Sequence, residues 1–344
     1  TDPYYIASMY YYASACMTAE AAKVLEKQEE SEYYLELAEK IREALLRTYF
    51  SEAGHLTVNT QTGYLLALRF GVYRNQETLI YDLKKRFRKD CYRIHGGFVG
   101  ATSMCTVLAD YGMEKLAYDF LLQEEFPSWL YCVNLGATTI WERWNSILSD
   151  GSISGTRMNS LNHYSYGAVV EFLYRHAAGI IPEEPGFTRS ILEPKPDKRL
   201  GWLKCRYDSA AGVYGVEWKW EEDGNLWLQI QIPFHATARL KLPYSNGKEE
   251  VLQAGTYNYC YKPENYRAYS WESTIGEIIQ DPEAAGILYR ILPQLEKIYT
   301  FQDPEDMAVT LEELENRMFI HVSHEQAEKV WEALQEYQQN SKGE

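Results

Sequence analysis

The sequence predicts an α + β multidomain chain: a long helical part built as an α/α toroid, then an antiparallel β-sandwich, then a small helical appendage. Three observations predict it. From Thr1 to about Ala178, apolar residues recur at helical spacing, and successive segments alternate between apolar and amphipathic, as inner and outer toroid helices do. After "GIIPEEPGF" the period drops to two, which is the period of strands. From Ser270 the helical period returns. The expected divisions are residues 1–182, 183–266 and 267–344. A chain of 344 residues exceeds what one hydrophobic core usually serves.

Taken in order, "TDPYY" offers a Thr/Asp cap and a proline at the first helical position, ahead of Ile6, Tyr10, Ala13, Met17, Ala21 and Val24 at helical spacing. Tyr33, Leu37, Ile41, Ala44 and Leu45 mark a second helix with a charged outer face, and Gly54 marks the break. Asn59 to Val72 reads as a shorter, more apolar helix ended by Gly71, and Gln76 to Arg88 as a charged one. His95 to Gly112 and Met113 to Glu125 supply two more. Pro127 to Ser160 is the longest loop, and Ser149 to Thr156, "SDGSISGT", has the composition of a mobile flap. Ser160 is expected to cap a helix from Leu161 to about Ala178, stopped by Gly179, with Asn162 and His163 in its first turn.

Strands are expected at Thr188 to Leu192, Trp202 to Tyr207, Val213 to Trp220, Leu226 to Ile232, Ala238 to Leu242 and Thr256 to Tyr261. Asp223-Gly224 and Asn246-Gly247 are turn signals between them. In the appendage, Asp281-Pro282 starts a helix, and Thr310 with Glu313 and Ser323 with Gln326 have the spacing of capping boxes.

Composition excludes several classes. A formal net charge of −15, from 49 acidic against 34 basic residues, gives no footprint for nucleic acid or an anionic membrane. No apolar run approaches the roughly 18 residues of a membrane helix. The six cysteines are scattered, with no C-x-x-C and no histidine clustering, so neither a metal nor a redox cofactor is implied, and a reducing, cytoplasmic setting is expected. The chain opens on Thr1 without an initiator methionine, as a piece of something longer would.

The chemistry-bearing stretch is Pro127 to Tyr166. It sets Glu142 among Trp141, Arg143 and Trp144, with Trp129 upstream and Asn162 and His163 downstream. Sugars present apolar C–H faces that stack on indoles, and hydroxyls that need carboxylate, amide and imidazole partners. Arg143 beside Glu142 favours the ionised carboxylate, which makes Glu142 a candidate general base. Two bland readings stand beside these: core tryptophans with a surface Glu142–Arg143 pair, and a structural histidine at a helix start.

"NTQTGYLLAL", "GGFVGATSMCTVLADYG", "LLQEEFPSW", "GATTIWERW" and "MNSLNHYSYGAVVEFLYR", with "AGI…PGF" and a β part after them, together resemble the C-terminal half of bacterial α-L-rhamnosidases over roughly Thr1 to Lys262. The resemblance implies a partial (α/α) six-hairpin barrel followed by a β-sandwich. It implies that Glu142 is the general base of an inverting hydrolysis of rhamnose-containing glycosides, and that His163 contacts the sugar. It also implies that Asn162 and His163 orient ring hydroxyls while Trp129, Trp141 and Trp144 form aromatic walls. The family's general acid is a glutamate in a "DERLGW"-type segment earlier in the barrel. The "DKRLGW" of Asp197 to Trp202 carries Lys198 in that place and lies in the β part, so the acid is expected outside Thr1 to Glu344. With about seven of a barrel's twelve helices in view, exposed helix faces and a homo-oligomer are expected. Two other classes stay open: a non-catalytic sugar-binding or structural fragment, and another toroid enzyme such as a polysaccharide lyase.

Overall fold

Asp2 sets the first helix. Its side chain accepts hydrogen bonds from the backbone N–H groups of Tyr4 and Tyr5, and Pro3 occupies the first helical position, where a missing N–H is harmless. The computed structural model describes residues 1–344 apart from 156, 265, 267–268, 272, 299–303, 315–319 and 341–344. It divides into two units, Thr1–Val169 and Val170–Glu344. No helix among the described residues is long and apolar enough to cross a membrane.

The first unit is helical. Helix α1 (Pro3–Val24) packs on α2 (Gln28–Tyr49), and α3 (Gln61–Phe70) packs on α4 (Gln76–Lys89). Two short helices, α5 (Phe98–Ala101) and α6 (Met104–Asp110), precede α7 (Glu114–Leu121), which packs on α6. Every residue of α3 from Gln61 to Leu68 is buried, and α3 touches α1, α5 and α6 as well as α4. Thr60 caps it through the N–H of Gly63 at 3.1 Å, and Gly71 ends it in the left-handed region at φ 67°.

Buried Gln61 organises the segment that leaves α4. Its amide nitrogen donates to Asp90 Oδ2 and to the Arg93 carbonyl, both at 2.8 Å, and its oxygen accepts from the N–H of His95 at 2.9 Å. Asp90 also takes a two-pronged contact from Arg86 one helical turn away. Burial alone would push the Asp90 carboxyl up, but the Arg86 guanidinium and the Gln61 amide outweigh it and hold the carboxyl below its ordinary value.

Three expectations for this unit are corrected. The helix expected over His95 to Gly112 is broken into α5 and α6. Gly100 presses α5 onto α3, where a Cβ would stand 2.3 Å from Thr62 Oγ1, and Thr102 folds its hydroxyl back onto the Phe98 carbonyl. Second, the loop from Pro127 contains α8 (Trp129–Asn134), capped by Ser128 through the N–H of Tyr131 at 3.0 Å. Within that loop Ser149 to Ser154 form part of a small hairpin: Ile147 bridges Ile153, the Leu148 N–H reaches the Ser152 carbonyl at 2.8 Å, and Asp150 accepts from the Ser152 N–H and hydroxyl. Thr156, the last residue of the expected flap, lies outside the described residues.

Third, the helix expected from Leu161 is absent until Ser165, where a 3-10 turn runs to Val169. The carbonyls of Ser160 and Leu161 that would start such a helix already accept from the Glu142 N–H and the Thr139 hydroxyl. Asn162 and His163 therefore sit on a loop, not in a helical turn.

The second unit opens with an α-turn at Val170–Phe172 and a π-turn at Leu173–Ala177. Gly179 comes next at φ 70°, and a Cβ there would stand 2.1 Å from the Glu193 carbonyl carbon, so a side chain is excluded. Among the described residues eight strands then form two four-stranded sheets: β1 (Ile180–Pro182), β2 (Arg189–Leu192), β3 (Trp202–Ser209), β4 (Gly212–Trp220), β5 (Leu226–Ile232), β6 (Thr237–Lys241), β7 (Glu249–Leu252) and β8 (Gly255–Tyr261). The sheet orders are β1-β2-β6-β7 and β3-β4-β5-β8, antiparallel except for the parallel ladder of β2 with β6. Tyr214, Val216 and Trp218 of β4 alternate inward with Leu226, Leu228 and Ile230 of β5, and the Trp218 indole donates to the Ala177 carbonyl at 2.8 Å.

Strands β1 and β7 are the additions to the expected set. Because β1 pairs with β2, residues 180–182 belong to the sheet and not to the helical part expected to end at 182. In the "DKRLGW" segment, Arg199 chelates Asp197 through two nitrogens at 3.0 and 2.7 Å, and Lys198 Nζ stands 5.0 Å from the ring centre of Trp220 and 5.4 Å from that of Tyr266.

The appendage has its own core, in which Ile278, Leu288, Leu292, Leu295, Val330 and Leu334 are buried together. Asp281 is its junction. It caps the helix Pro282–Ile291 through the N–H groups of Glu283 and Ala284, and it accepts from the hydroxyls of Tyr269 and Tyr337. The Ser323–Gln326 capping box closes both ways; Thr310 and Glu313 make only the bond from the Thr310 N–H, and Thr274 with Glu277 forms a further complete box.

Asp90 and Asp281 lead to separate expectations. The Asp90 carboxyl is held low in the folded chain, so its contribution is full above its ordinary value of 3.8 and is lost as pH falls below that value through the lowered one. Acid unfolding of wild type and Asp90→Asn, tracked by near-ultraviolet circular dichroism, should show a shallower acid limb in the variant. Asp281→Ala removes a cap and two tyrosine hydrogen bonds, worth about 2 kcal/mol together. Hydrogen exchange should speed up over residues 282–337 and stay unchanged in the first unit.

Candidate active site

The sequence separates Glu142 from His163 by 21 positions, and the fold brings their backbones side by side. The His163 N–H donates to the Ile140 carbonyl at 2.8 Å, the Glu142 N–H donates to the Ser160 carbonyl at 2.9 Å, and the Thr139 hydroxyl donates to the Leu161 carbonyl. Segments 139–142 and 160–163 therefore run antiparallel, and the excursion between them is closed at its base. The Glu142 side chain takes part in the closure: the Ser160 N–H donates to Oε2 at 2.7 Å.

Arg143 does not act as the sequence suggests. Its guanidinium donates to the Arg157 carbonyl at 2.7 Å, its backbone N–H donates to Ser146 Oγ at 3.1 Å, and so it braces the excursion beyond Glu142. Asn159 adds two bonds from its amide, to the carbonyls of Gly155 at 2.9 Å and Ser146 at 3.3 Å. Glu142 is half-buried, and a backbone N–H is its immediate partner.

An open cleft lies beside this pairing, lined by Thr139, Ile140, Asn162, His163, Tyr164 and Gly167. His163 is half-buried and Asn162 exposed. The Ser165 N–H donates to His163 Nδ1 at 3.3 Å, which leaves Nε2 as the protonated nitrogen of the neutral ring and a donor for a ligand hydroxyl. Glu142 stands two residues along from Ile140 and outside the lining.

The aromatic residues form a row behind the cleft. Trp129 is buried, donates its indole N–H to the Tyr166 carbonyl at 2.9 Å and meets Trp144 edge-on at 5.2 Å. Trp144, half-buried, stacks on Tyr166 at 3.9 Å, Tyr166 touches Phe98 at 5.2 Å, and Phe98 stacks on His163 at 4.9 Å. Burial, and then the neighbouring Cys132, push the Tyr166 phenol up to about 12, so it is uncharged at any ordinary pH. Trp141 is buried as well. Of the three tryptophans singled out in the sequence, Trp144 alone is partly open, and none of the three lines the cleft.

Phe98, Tyr164, Thr139 and Ile140 join the site only through the fold. The "NHY" run does carry a signal for Tyr164, since a residue beside a ligand-facing histidine on a loop is itself set at the surface. Phe98 carries none, because the link between α5 and the 160–167 loop is purely tertiary.

Comparison with known proteins bears on the same residues. The family model of the bacterial α-L-rhamnosidase six-hairpin glycosidase domain matches residues 1–177, and that of the bacterial α-L-rhamnosidase C-terminal domain matches residues 179–256. An α-L-rhamnosidase of Formosa agariphila is 33% identical over 257 residues, covering 74% of this chain and 27% of the relative. One from Streptomyces avermitilis is 32% identical over 254 residues, covering 73% and 24%. Among solved structures, native α-L-rhamnosidase from Aspergillus terreus aligns with a TM-score of 0.72 at 30% identity, over 76% of this chain and 31% of that one. The Streptomyces avermitilis enzyme complexed with L-rhamnose aligns with a TM-score of 0.69 at 28% identity, over 75% and 27%. This chain thus spans only about a quarter to a third of the relatives' lengths. The glycosidase-domain match takes in more than half of the 344 residues, and with the C-terminal match behind it the chain belongs to the bacterial α-L-rhamnosidase family.

Proposed function

We propose that residues 1–344 carry the base and the sugar-binding side of an inverting α-L-rhamnosidase site. The observation that carries this reading is the antiparallel pairing of 139–142 with 160–163, which ties the segment bearing the Glu142 carboxylate to the segment whose His163 lines the cleft, in a chain of this family. Glu142 takes a proton from a water whose oxygen bonds to the anomeric carbon of a terminal α-L-rhamnosyl group. The bond to the leaving oxygen breaks with its electron pair, and a second carboxylic acid protonates that oxygen. In an inverting site the two carboxyl groups stand about 6.5–9.5 Å apart, leaving room for the water. Ser160 holds Oε2, so Oε1 is the oxygen offered to the water. The His163 Nε2–H and the Asn162 amide orient ring hydroxyls, while Trp129, Trp141 and Trp144 back the cleft.

The acid is not supplied by the "DKRLGW" segment, in which Lys198 faces the rings of Trp220 and Tyr266. A non-catalytic, sugar-binding role for the isolated chain is favoured by the same fact. The six scattered cysteines suit a reducing, cytoplasmic compartment. Tyr4, Tyr11, Met17 and Val24 are exposed along α1, which supports association between copies.

Two measurements test the reading. The purified chain should bind L-rhamnose in a calorimetric titration, His163→Ala should weaken that binding about tenfold with little change in melting temperature, and the chain should release no rhamnose from a natural glycoside. Unchanged affinity in a folded His163→Ala variant makes the histidine structural. In a complete, active enzyme containing this chain, Glu142→Gln should lower turnover by about 10²–10⁴-fold while leaving the fold intact; near-normal turnover on an aryl rhamnoside removes Glu142 from the mechanism.

A further inference from the structure

His163 is held on its ring faces as well as by its edge. Phe98 stacks on it with ring centres 4.9 Å apart and planes 11° apart, and Tyr164 stacks on it at 5.4 Å and 13°. The Ser165 N–H bond fixes which nitrogen is which, and the two stacked rings fix the plane of the imidazole. Without them the ring could rotate about its side-chain bond, because a 3.3 Å hydrogen bond is a weak hold on its edge.

Neither flanking ring is explained by core packing. Tyr164 is 86% exposed, so burial contributes little to keeping it in place, and Phe98, at 39% exposure, leaves part of its ring open at the surface. Phe98 is nevertheless firmly set. Its helix α5 is pressed on α3 at Gly100, the preceding Gly96 carbonyl receives the Trp144 indole N–H at 3.5 Å, and the Phe98 ring also meets Tyr166 at 5.2 Å. A rigid, half-exposed aromatic ring parallel to a ligand-facing imidazole is placed to orient that imidazole.

We propose that Phe98 and Tyr164 are positioning residues of the sugar site, holding the plane of His163 so that its Nε2–H stays aimed into the cleft. The inference rests on the reading that His163 donates to a rhamnosyl hydroxyl. It adds that the donor is oriented by stacking and that Phe98, on a helix distant in sequence, acts on the sugar through His163 alone.

The test is a double-mutant cycle on the full 344-residue chain, titrated with L-rhamnose, combined with nitrogen-15 spectra of the imidazole. An aromatic stack of this kind predicts that Phe98→Leu weakens binding by about 3–10-fold, with a similar loss for Tyr164→Leu. In a His163→Ala background Phe98→Leu should have no further effect, and with His163 present Phe98→Tyr, which keeps the flat ring, should keep wild-type affinity. The His163 nitrogens should report one Nε2–H tautomer in wild type and an averaged signal in Phe98→Leu. Equal losses with and without His163, or an imidazole spectrum indifferent to Phe98, overturn the inference. A wild-type chain that binds no rhamnose, yet whose imidazole signal averages in Phe98→Leu, overturns the sugar reading and upholds the ring-holding role. A Phe98→Leu variant that fails to fold is replaced by Phe98→Met, which keeps bulk and removes the flat ring.

Discussion

The site depends on a few backbone hydrogen bonds between two loop segments that no regular sheet supports. Ile140 with His163, and Glu142 with Ser160, meet as neighbouring strands do, and everything from Arg143 to Asn159 is an excursion hung from that junction. Had residues 160–163 taken the helical path that their sequence suggests, the Ser160 and Leu161 carbonyls would have turned inward to helical N–H partners. The carboxylate and the imidazole would then have had no common edge. The Glu142 side chain reinforces the arrangement by accepting the Ser160 N–H, so one residue is both a chemical group and a fastening of its own loop.

Behind the junction the aromatic row gives the cleft a stiff wall. It begins at fully packed Trp129 and ends at exposed Tyr164, passing through Trp144, Tyr166, Phe98 and His163. Each ring touches the next in an edge-on, tilted or stacked geometry of the kind that contributes about 0.5–1.5 kcal/mol beyond area burial. Rigidity is what such a row supplies to the cleft, since a donor displaced by a fraction of an ångström loses much of its discrimination.

Legibility in the sequence tracks the range of the interactions. Capping and periodicity are local, and Asp2, Gly71, Asp281 and the strand residues of β4 and β5 do in the structure what their spacing indicates. Glu142, Asn162 and His163 can be singled out because they lie in one short, compositionally unusual stretch, and the family match covers that stretch. The illegible features are set by contacts distant in the chain. The break between α5 and α6 arises from Gly100 against Thr62, the delayed turn at Ser165 from pairing with 139–142, and the diversion of Arg143 from the Arg157 carbonyl. Strand β7 has no sequence signature of its own because Glu249, Glu250 and Val251 are exposed and show no alternation, although the Asn246-Gly247 turn before it is plain.

Gln61 illustrates how narrow some positions in such a fold become. One primary amide, itself buried at the start of α3, donates twice, to a carboxylate and a carbonyl, and accepts once from a backbone N–H. An ionised glutamate of the same shape would set its negative oxygen against Asp90 and the Arg93 carbonyl. A leucine would take a partner from the Arg93 carbonyl and the His95 N–H and leave Asp90 to Arg86. Asparagine falls one methylene short. The residue is thus nearly the only side chain whose polarity pattern fits, and drift at this position is restrained by bonding arithmetic far from any substrate.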